Sequence, residues 1–91
     1  MNFVWNPRKN RANLARHGIA FEDAKQIFEG PTFEQVDYRF DYEEVRVYAI
    51  GVANGLEIAL IYTDVSETER RIISAWRAVR HEREAYWQSI G

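Results

Sequence analysis

The sequence predicts a small α+β domain of two layers, an antiparallel sheet of three to five strands with helices packed on one face. Two observations carry most of this prediction. The dipeptide Asn54-Gly55 joins two β-branched and aromatic runs, as in a two-residue β-hairpin. Later in the chain, a β-branched run at 71–74 is followed by a helical pattern. Ninety-one residues with no linker, repeat or low-complexity segment predict a single domain over 1–91.

The N-terminal third predicts one short strand and two helices. The apolar run at 3–5 has the length of an edge strand. A helix is expected over 7–17, because Asn6 is a good N-cap, Pro7 suits the first helical position and Gly18 favours a left-handed C-cap. Apolar spacing of three and four predicts a second helix over 21–28.

The remaining chain predicts further strands and a final helix. Residues 32–42 indicate a ragged strand, with apolar side chains at Phe33, Val36, Tyr38 and Phe40. The hairpin strands are expected at 45–53 and 56–63, and the next strand at 71–75 after a polar turn. We expect a final helix that buries Val79, Tyr86 and Ile90 and carries arginines at 77, 80 and 83.

Charge is distributed unevenly along the chain, although the net charge is only −2. Residues 1–21 carry four basic and no acidic side chains, 22–69 carry three basic and twelve acidic ones, and 70–91 carry five basic and two acidic ones. If the two cationic ends meet in the fold, they form a local positive surface. Ten of the twelve basic residues are arginine, whose planar fork suits phosphate and carboxylate binding.

Composition excludes several classes of protein and site. There are no cysteines, which excludes disulfides and thiolate metal sites. No apolar run approaches the roughly 18 residues of a membrane span, and we expect a cytoplasmic protein. Two histidines without acidic residues at ligand spacing give no metal site, and phosphate-binding glycine loops are absent, so no cofactor is expected.

Three separated segments together resemble the BrnT toxins, the toxin half of a bacterial type II toxin–antitoxin system. The matching residues are Phe3-x-Trp5-x-Pro7-x-Lys9-x3-Asn13-x2-Arg16-His17-Gly18-Ile19-x-Phe21-Glu22-x-Ala24, then Arg46-x3-Ile50-Gly51, then Arg71-Ile72-Ile73-Ser74-Ala75 with Arg77-Ala78, Glu82-Arg83 and Tyr86. The resemblance implies a RelE-like fold and a ribonuclease activity that stops translation. It also implies a hetero-oligomer with a BrnA-like ribbon-helix-helix antitoxin, through which operator DNA would be bound only indirectly.

Metal-independent RNA cleavage by the ribose 2′-OH requires proton transfer and stabilisation of charge on the phosphoryl oxygens. Histidine and arginine supply these two functions. With the resemblance falling on the same positions, the expected catalytic residues are Arg71, Arg77, His17 and Arg46. The expected RNA contacts are Lys9, Arg16, Arg80 and Trp76.

Structural alternatives stay open for several of these residues. His17 could serve only the C-terminus of its helix, and Arg80 could form only a surface ion pair with Glu84. We expect His81 to be a solvated surface residue. Trp76 could stack on a base or on a partner protein. Because Trp76 stands where the BrnT family usually has arginine, a toxin-like binding module without catalytic activity is the alternative function.

Overall fold

A five-stranded sheet is the centre of the structure, a computed structural model that describes residues 1–39 and 43–90. In chain order the strands are β1 (Asn2–Val4), β2 (Phe33–Val36), β3 (Val47–Ala53), β4 (Leu56–Asp64) and β5 (Glu69–Arg77). Their order across the sheet is β1-β5-β4-β3-β2, with β1 parallel to β5 and all other neighbours antiparallel. The α+β class is therefore confirmed, and the sheet is mixed where the sequence predicted an antiparallel one.

Three α-helices accompany the sheet in the described residues: α1 (Pro7–His17), α2 (Phe21–Ala24) and α3 (Arg80–Ile90). The caps predicted for α1 are present, because Asn6 Oδ1 accepts the N–H of Arg8 at 2.8 Å and Gly18 has a φ of 72°. The second predicted helix is shorter as an α-helix than expected. It continues beyond α2 as a 3-10 helix over Lys25–Glu29.

The hairpin between β3 and β4 forms as the sequence predicts. Asn54 and Gly55 have φ values of 52° and 77°, the left-handed conformation that a type I′ turn requires. The strand β3 begins at Val47, two residues later than expected. Of the predicted strand at 32–42, β2 covers Phe33–Val36, and Phe40 lies outside the described residues.

The helices lie on both faces of the sheet, which corrects the prediction of helices on one face. On the first face, here called the α2 face, the buried core contains Phe21, Ala24, Ile27, Ala49, Leu60 and Ile72. On the second face, here called the α3 face, Tyr86 of α3 packs with Ile50 and Ala59. Apolar residues alternate on both sides of β3 and β4, so both faces need cover.

The boundary between β5 and α3 differs from the prediction. The strand continues to Arg77, and α3 begins only at Arg80. Arginines 77, 80 and 83 therefore do not form a row along one helix. Of the three side chains that α3 was expected to bury, only Tyr86 is buried, since Val79 is 48% exposed and Ile90 is 37% exposed.

A β-bulge interrupts the pairing of β4 with β5. Ile61 pairs with Ser74 and Tyr62 pairs with Ile72, which leaves Ile73 as the extra residue on β5. The bulge changes the side-chain alternation along β5, so residues before and after it do not follow one simple period of two. This shift decides which face each arginine of β5 occupies.

The helix α1 attaches to β5 through a buried asparagine. Asn13 Nδ2 donates to the carbonyl oxygen of Ala75 at 2.8 Å, and Asn13 Oδ1 accepts the Ala75 N–H at 3.1 Å. The strand β1 pairs with β5 only as far as Arg71, so the amide of Asn13 continues the hydrogen bonding where β1 ends.

No helix in the described part of the chain is long and apolar enough to cross a membrane.

Candidate functional site

A groove opens on the α3 face beside the start of α3. Its volume is about 740 Å³, and its lining includes Tyr48, Trp76, His81, Glu82 and Arg39. The alternation of β3 places Tyr48 on the same face as Ile50, and Trp76 reaches this face from the end of β5.

The aromatic rings of Tyr48 and Trp76 stack within the groove. Their centroids are 6.2 Å apart and their planes differ by 25°. Both polar ends are bound to one carboxylate, since the Tyr48 hydroxyl donates to Glu82 Oε2 and Trp76 Nε1 donates to Glu82 Oε1 at 3.1 Å. Glu82 is only 6% exposed. These hydrogen bonds hold the two rings in a fixed relation.

Glu82 also begins the helix that carries it. Its Oε1 accepts the backbone N–H of Val79 at 2.8 Å. This is the glutamate half of a capping box, in which the third helical residue bonds back to the N-cap N–H. The negative charge also lies in the first turn of α3, where the helix dipole favours it. One buried carboxylate therefore organises both the groove and the helix start.

Burial raises the pKa of Tyr48 well above the ordinary tyrosine value, and the hydrogen bond to the Glu82 carboxylate raises it further. The phenol consequently keeps its proton at neutral pH. Tyr48 can therefore orient or contact a ligand, but it is unsuited to act as a base.

Arg39 borders the groove and is held by a buried acid. Its Nε and Nη2 donate to the two carboxylate oxygens of Asp37 at 2.9 and 3.1 Å. The side chain of Asp37 is 3% exposed and that of Arg39 is 66% exposed. The guanidinium lowers the pKa of Asp37 mainly through this hydrogen bonding. The arrangement fixes an exposed guanidinium at the edge of the groove, where it is paired with a buried carboxylate.

Three predicted site residues come together at the end of the sheet where β5 begins. Glu44 Oε1 lies 3.2 Å from Arg46 Nε and 3.7 Å from Arg71 Nη2. Lys9 lines a neighbouring concavity of about 460 Å³ together with Arg71. Because Ile72 points to the α2 face, its neighbour Arg71 points to the α3 face. We call Lys9, Arg46 and Arg71 the cationic strip.

Arg77 and His17 do not join this strip, contrary to the expectation of one catalytic group. Arg77 follows Trp76 and therefore points to the α2 face. Arg77 lies six residue positions along β5 from Arg71, a distance of about 20 Å. His17 ends α1, and the next residue, Gly18, shares a surface pocket with Ile58, the strand partner of Arg77. The bulge at Ile73 and the length of α1 thus place the four expected catalytic residues at two different ends of the sheet.

The remaining predicted RNA contacts also separate. Trp76 lies in the groove. Arg80 is exposed on α3, where its Nε donates to Glu84 Oε1 at 3.0 Å, and Arg16 is exposed on α1. No group of three His, Cys, Asp or Glu side chains within 1–39 and 43–90 could hold a metal ion.

Three residues of the groove, Tyr48, Glu82 and Arg39, were not predicted as site residues from the sequence. A fourth, His81, was predicted only as a surface residue. Tyr48 could have been found from its period of two with Ile50, and Glu82 from its place three residues after Val79 at a helix start. His81, which reads as a solvated residue in sequence, is exposed but lines the groove. For Arg39 the sequence offers no signal, because its position depends on the fold around Asp37.

Comparison with known proteins agrees with this fold. The crystal structure of the Brucella abortus ribonuclease toxin BrnT matches with a TM-score of 0.65 and 29% identity, over 88% of this chain and 99% of that chain. FK506-binding protein 59 of Drosophila melanogaster is 50% identical over 48 residues, which are 53% of this chain. The matched part is only 10% of the length of that curated relative.

A family model covers most of the chain. The model described as ribonuclease toxin, BrnT, of type II toxin–antitoxin system matches residues 5–82. This range includes the cationic strip and the groove residues Tyr48, Trp76 and Glu82. The chain belongs to the BrnT family of ribonuclease toxins of type II toxin–antitoxin systems.

Proposed function

We propose that this protein is the toxin of a type II toxin–antitoxin pair and acts in the cytoplasm as a metal-independent endoribonuclease that stops translation. The observation that best supports this function is the placement of the groove and of Arg46 and Arg71 on the same face of the sheet. A single RNA strand laid along this face would meet aromatic rings at one end and fixed positive charges at the other. Family membership supports the same activity.

The proposed reaction is attack of a ribose 2′-OH on the adjacent phosphorus. The P–O bond to the 5′ oxygen breaks, and a 2′,3′-cyclic phosphate and a 5′-OH are formed. Arg71 and Arg46 would stabilise the phosphoryl oxygens, because guanidinium groups keep their charge and donate two hydrogen bonds at once. Lys9 would bind a neighbouring backbone phosphate.

For proton transfer, the geometry favours His81 over His17. His81 lines the groove together with Tyr48, which follows Arg46 by two residues on the same face of the sheet. His17 instead lies at the end of the sheet near Arg77. Imidazole is the side chain best suited to exchange a proton near neutral pH. Arg77, Arg16 and Arg80 lie outside this reaction site, and a role in RNA binding for Arg16 and Arg80 stays a prediction.

The partner that we propose is a BrnA-like antitoxin with a ribbon-helix-helix domain. Binding of the toxin would neutralise its activity, and operator DNA would be contacted only by the antitoxin. The toxin and antitoxin would form a hetero-oligomer.

Induction of the gene in bacterial cells tests the proposal. We expect growth arrest, loss of protein synthesis and fragmentation of RNA, and we expect purified protein to cleave RNA equally well with EDTA. Co-expression of the antitoxin encoded beside the gene should restore growth. Normal growth with intact RNA would contradict the toxin function, and loss of cleavage in EDTA would contradict metal independence.

A second candidate function is a binding module that keeps the toxin fold without catalysis. The observation behind it is Trp76, whose indole is bonded to Glu82 at the position where the resemblance leads us to expect arginine. Trp76→Arg separates the two functions. Gain of RNA cleavage by an otherwise inactive protein would support the binding module, and cleavage by the unmodified protein would exclude it.

A further inference from the structure

We infer that Tyr48 and Trp76 form a stacking platform for one unpaired base of a single-stranded RNA, and that Glu82 is the positioning residue that fixes this platform. The inference rests on the proposed function for the identity of the ligand. The two rings lie 6.2 Å apart in a groove of about 740 Å³, which is large enough for a nucleotide. Every base has a flat π-face, so such a platform accepts RNA without reading its sequence.

The platform is fixed before any ligand binds. The hydroxyl of Tyr48 and the indole N–H of Trp76 both donate to Glu82, which is itself bound to the backbone N–H of Val79. An aromatic ring that is already held in place loses little conformational entropy when a base stacks on it. The hydrogen bonds of Glu82 thus contribute to RNA affinity although Glu82 itself contacts no base.

The cationic side chains beside the groove favour RNA over an apolar protein segment. Arg39 is exposed at the edge, and the counter-charge of Asp37 is buried behind it. His81 lines the same groove. The cationic residues Arg46 and Arg71 continue along the same face of the sheet. A base on the platform would therefore place its flanking phosphates near positive side chains.

The floor of the groove supports the same ligand. Ile50 is fully buried beneath it, and Phe33 packs against the same cluster. The site therefore combines an apolar floor, aromatic rings and cations at the rim, the combination found where proteins hold single-stranded nucleic acids.

The test measures binding of a short 2′-O-methyl RNA, which lacks the attacking hydroxyl and cannot be cleaved, by fluorescence anisotropy. An abasic oligonucleotide with the same backbone is the second probe. We expect Trp76→Ala to raise the Kd for the base-containing probe about 5- to 150-fold, the range given by the loss of one stacked base. The same change should leave binding of the abasic probe unaltered. Trp76→Phe should restore most of the affinity.

Salt dependence separates stacking from charge. The slope of log Kd against log salt should stay unchanged in Trp76→Ala. In Arg71→Ala the slope should fall by about 0.7, as expected when one phosphate contact to a single strand is lost.

The matched control for Trp76→Ala is Trp87→Ala. Trp87 is a half-exposed tryptophan whose Nε1 donates to Glu57 at 3.0 Å, and it lies outside the groove lining.

The role of Glu82 is tested by a double-mutant cycle. Glu82→Gln should weaken binding of the base-containing probe, and this effect should disappear in the Trp76→Ala background if Glu82 acts through the platform. A purely structural role would give the same loss of affinity in both backgrounds. Thermal melting of each variant establishes that the chain is folded.

Two results would overturn the inference. One is equal affinity of the unmodified protein for the base-containing and abasic probes. The other is unchanged RNA binding in Trp76→Ala together with weakened binding of the antitoxin, which would make the groove a protein site. Because the probe cannot be cleaved, a protein that binds it as expected but cuts no RNA would contradict the proposed catalysis and leave the platform supported.

Discussion

Trp76 Nε1 and Glu82 Oε1 are joined by a hydrogen bond of 3.1 Å that links the end of β5 to the first turn of α3. Only the short connection at 78–79 lies between these elements. The bond fixes where α3 begins on the α3 face, and the same carboxylate holds Tyr48. Glu82 therefore contributes both to the structure of the groove and to the attachment of α3 to the sheet.

Replacement of Glu82 by alanine should destabilise the protein. The change removes the acceptor for three donors, Tyr48 Oη, Trp76 Nε1 and the Val79 N–H. We expect the free energy of unfolding in urea to fall by about 3 kcal/mol, because unpaired buried polar groups are costly. Glu84→Ala is the control, since Glu84 forms only an exposed ion pair with Arg80 and its loss should cost less than about 0.5 kcal/mol. Equal effects of the two changes would contradict the assignment.

Gly51 should tolerate no side chain, whereas Gly30 should. A Cβ at Gly51 would lie 2.7 Å from Ile27 Cβ and 3.3 Å from the Ile27 carbonyl oxygen, in the core of the α2 face. We expect Gly51→Ala to lower the free energy of unfolding by about 1–3 kcal/mol through overpacking. At Gly30 a Cβ meets nothing within 4 Å and φ is −128°, so Gly30→Ala should stabilise the protein by up to about 1 kcal/mol. Chemical denaturation of both variants, which measures their free energies of unfolding, tests this prediction.

Arg71 and Arg77 should differ in their importance for RNA cleavage. Arg71 belongs to the cationic strip on the α3 face, and Arg77 points to the opposite face about 20 Å away. We expect Arg71→Ala to reduce the cleavage rate by at least about 100-fold, as loss of a charge-stabilising group does. Arg77→Ala should change it less than about threefold. Growth assays and single-turnover RNA cleavage measure both, and inactivation by Arg77→Ala alone would move the proposed site to the other end of the sheet.

Stability should decline at alkaline pH because of two tyrosines. Burial and hydrogen bonds to Glu82 and Glu34 raise the pKa of Tyr48 and Tyr62 above the ordinary value of 10.0. The unfolded chain therefore ionises these phenols first, so their contribution to stability is complete below about pH 10 and is lost as pH rises further. Urea unfolding at about pH 8 and about pH 11 should show the decline. In the double variant Tyr48→Phe and Tyr62→Phe it should be smaller, and an equal decline there would refute this origin.

Local signals in the sequence predicted the elements whose geometry is fixed by neighbouring residues. The N-cap Asn6 and the C-cap Gly18 gave the bounds of α1, and Asn54-Gly55 gave the hairpin. These predictions succeed because caps and two-residue turns depend on backbone conformations that few residue types adopt. The resemblance that leads to the BrnT family likewise rests on residues at fixed positions along the chain.

What the sequence by itself determined is thus the α+β class, the caps, the hairpin and the family. Only the tertiary structure decided that α3 covers the opposite face from α2, and that Arg71 and Arg77 are apart. The physical reason is that a bulge at Ile73 and the length of β5 set the direction of each side chain, and neither can be read from hydrophobic pattern. The carboxylate of Glu82 joins Tyr48 and Trp76 across 34 and 6 residues of chain, a relation that exists only once the sheet has formed.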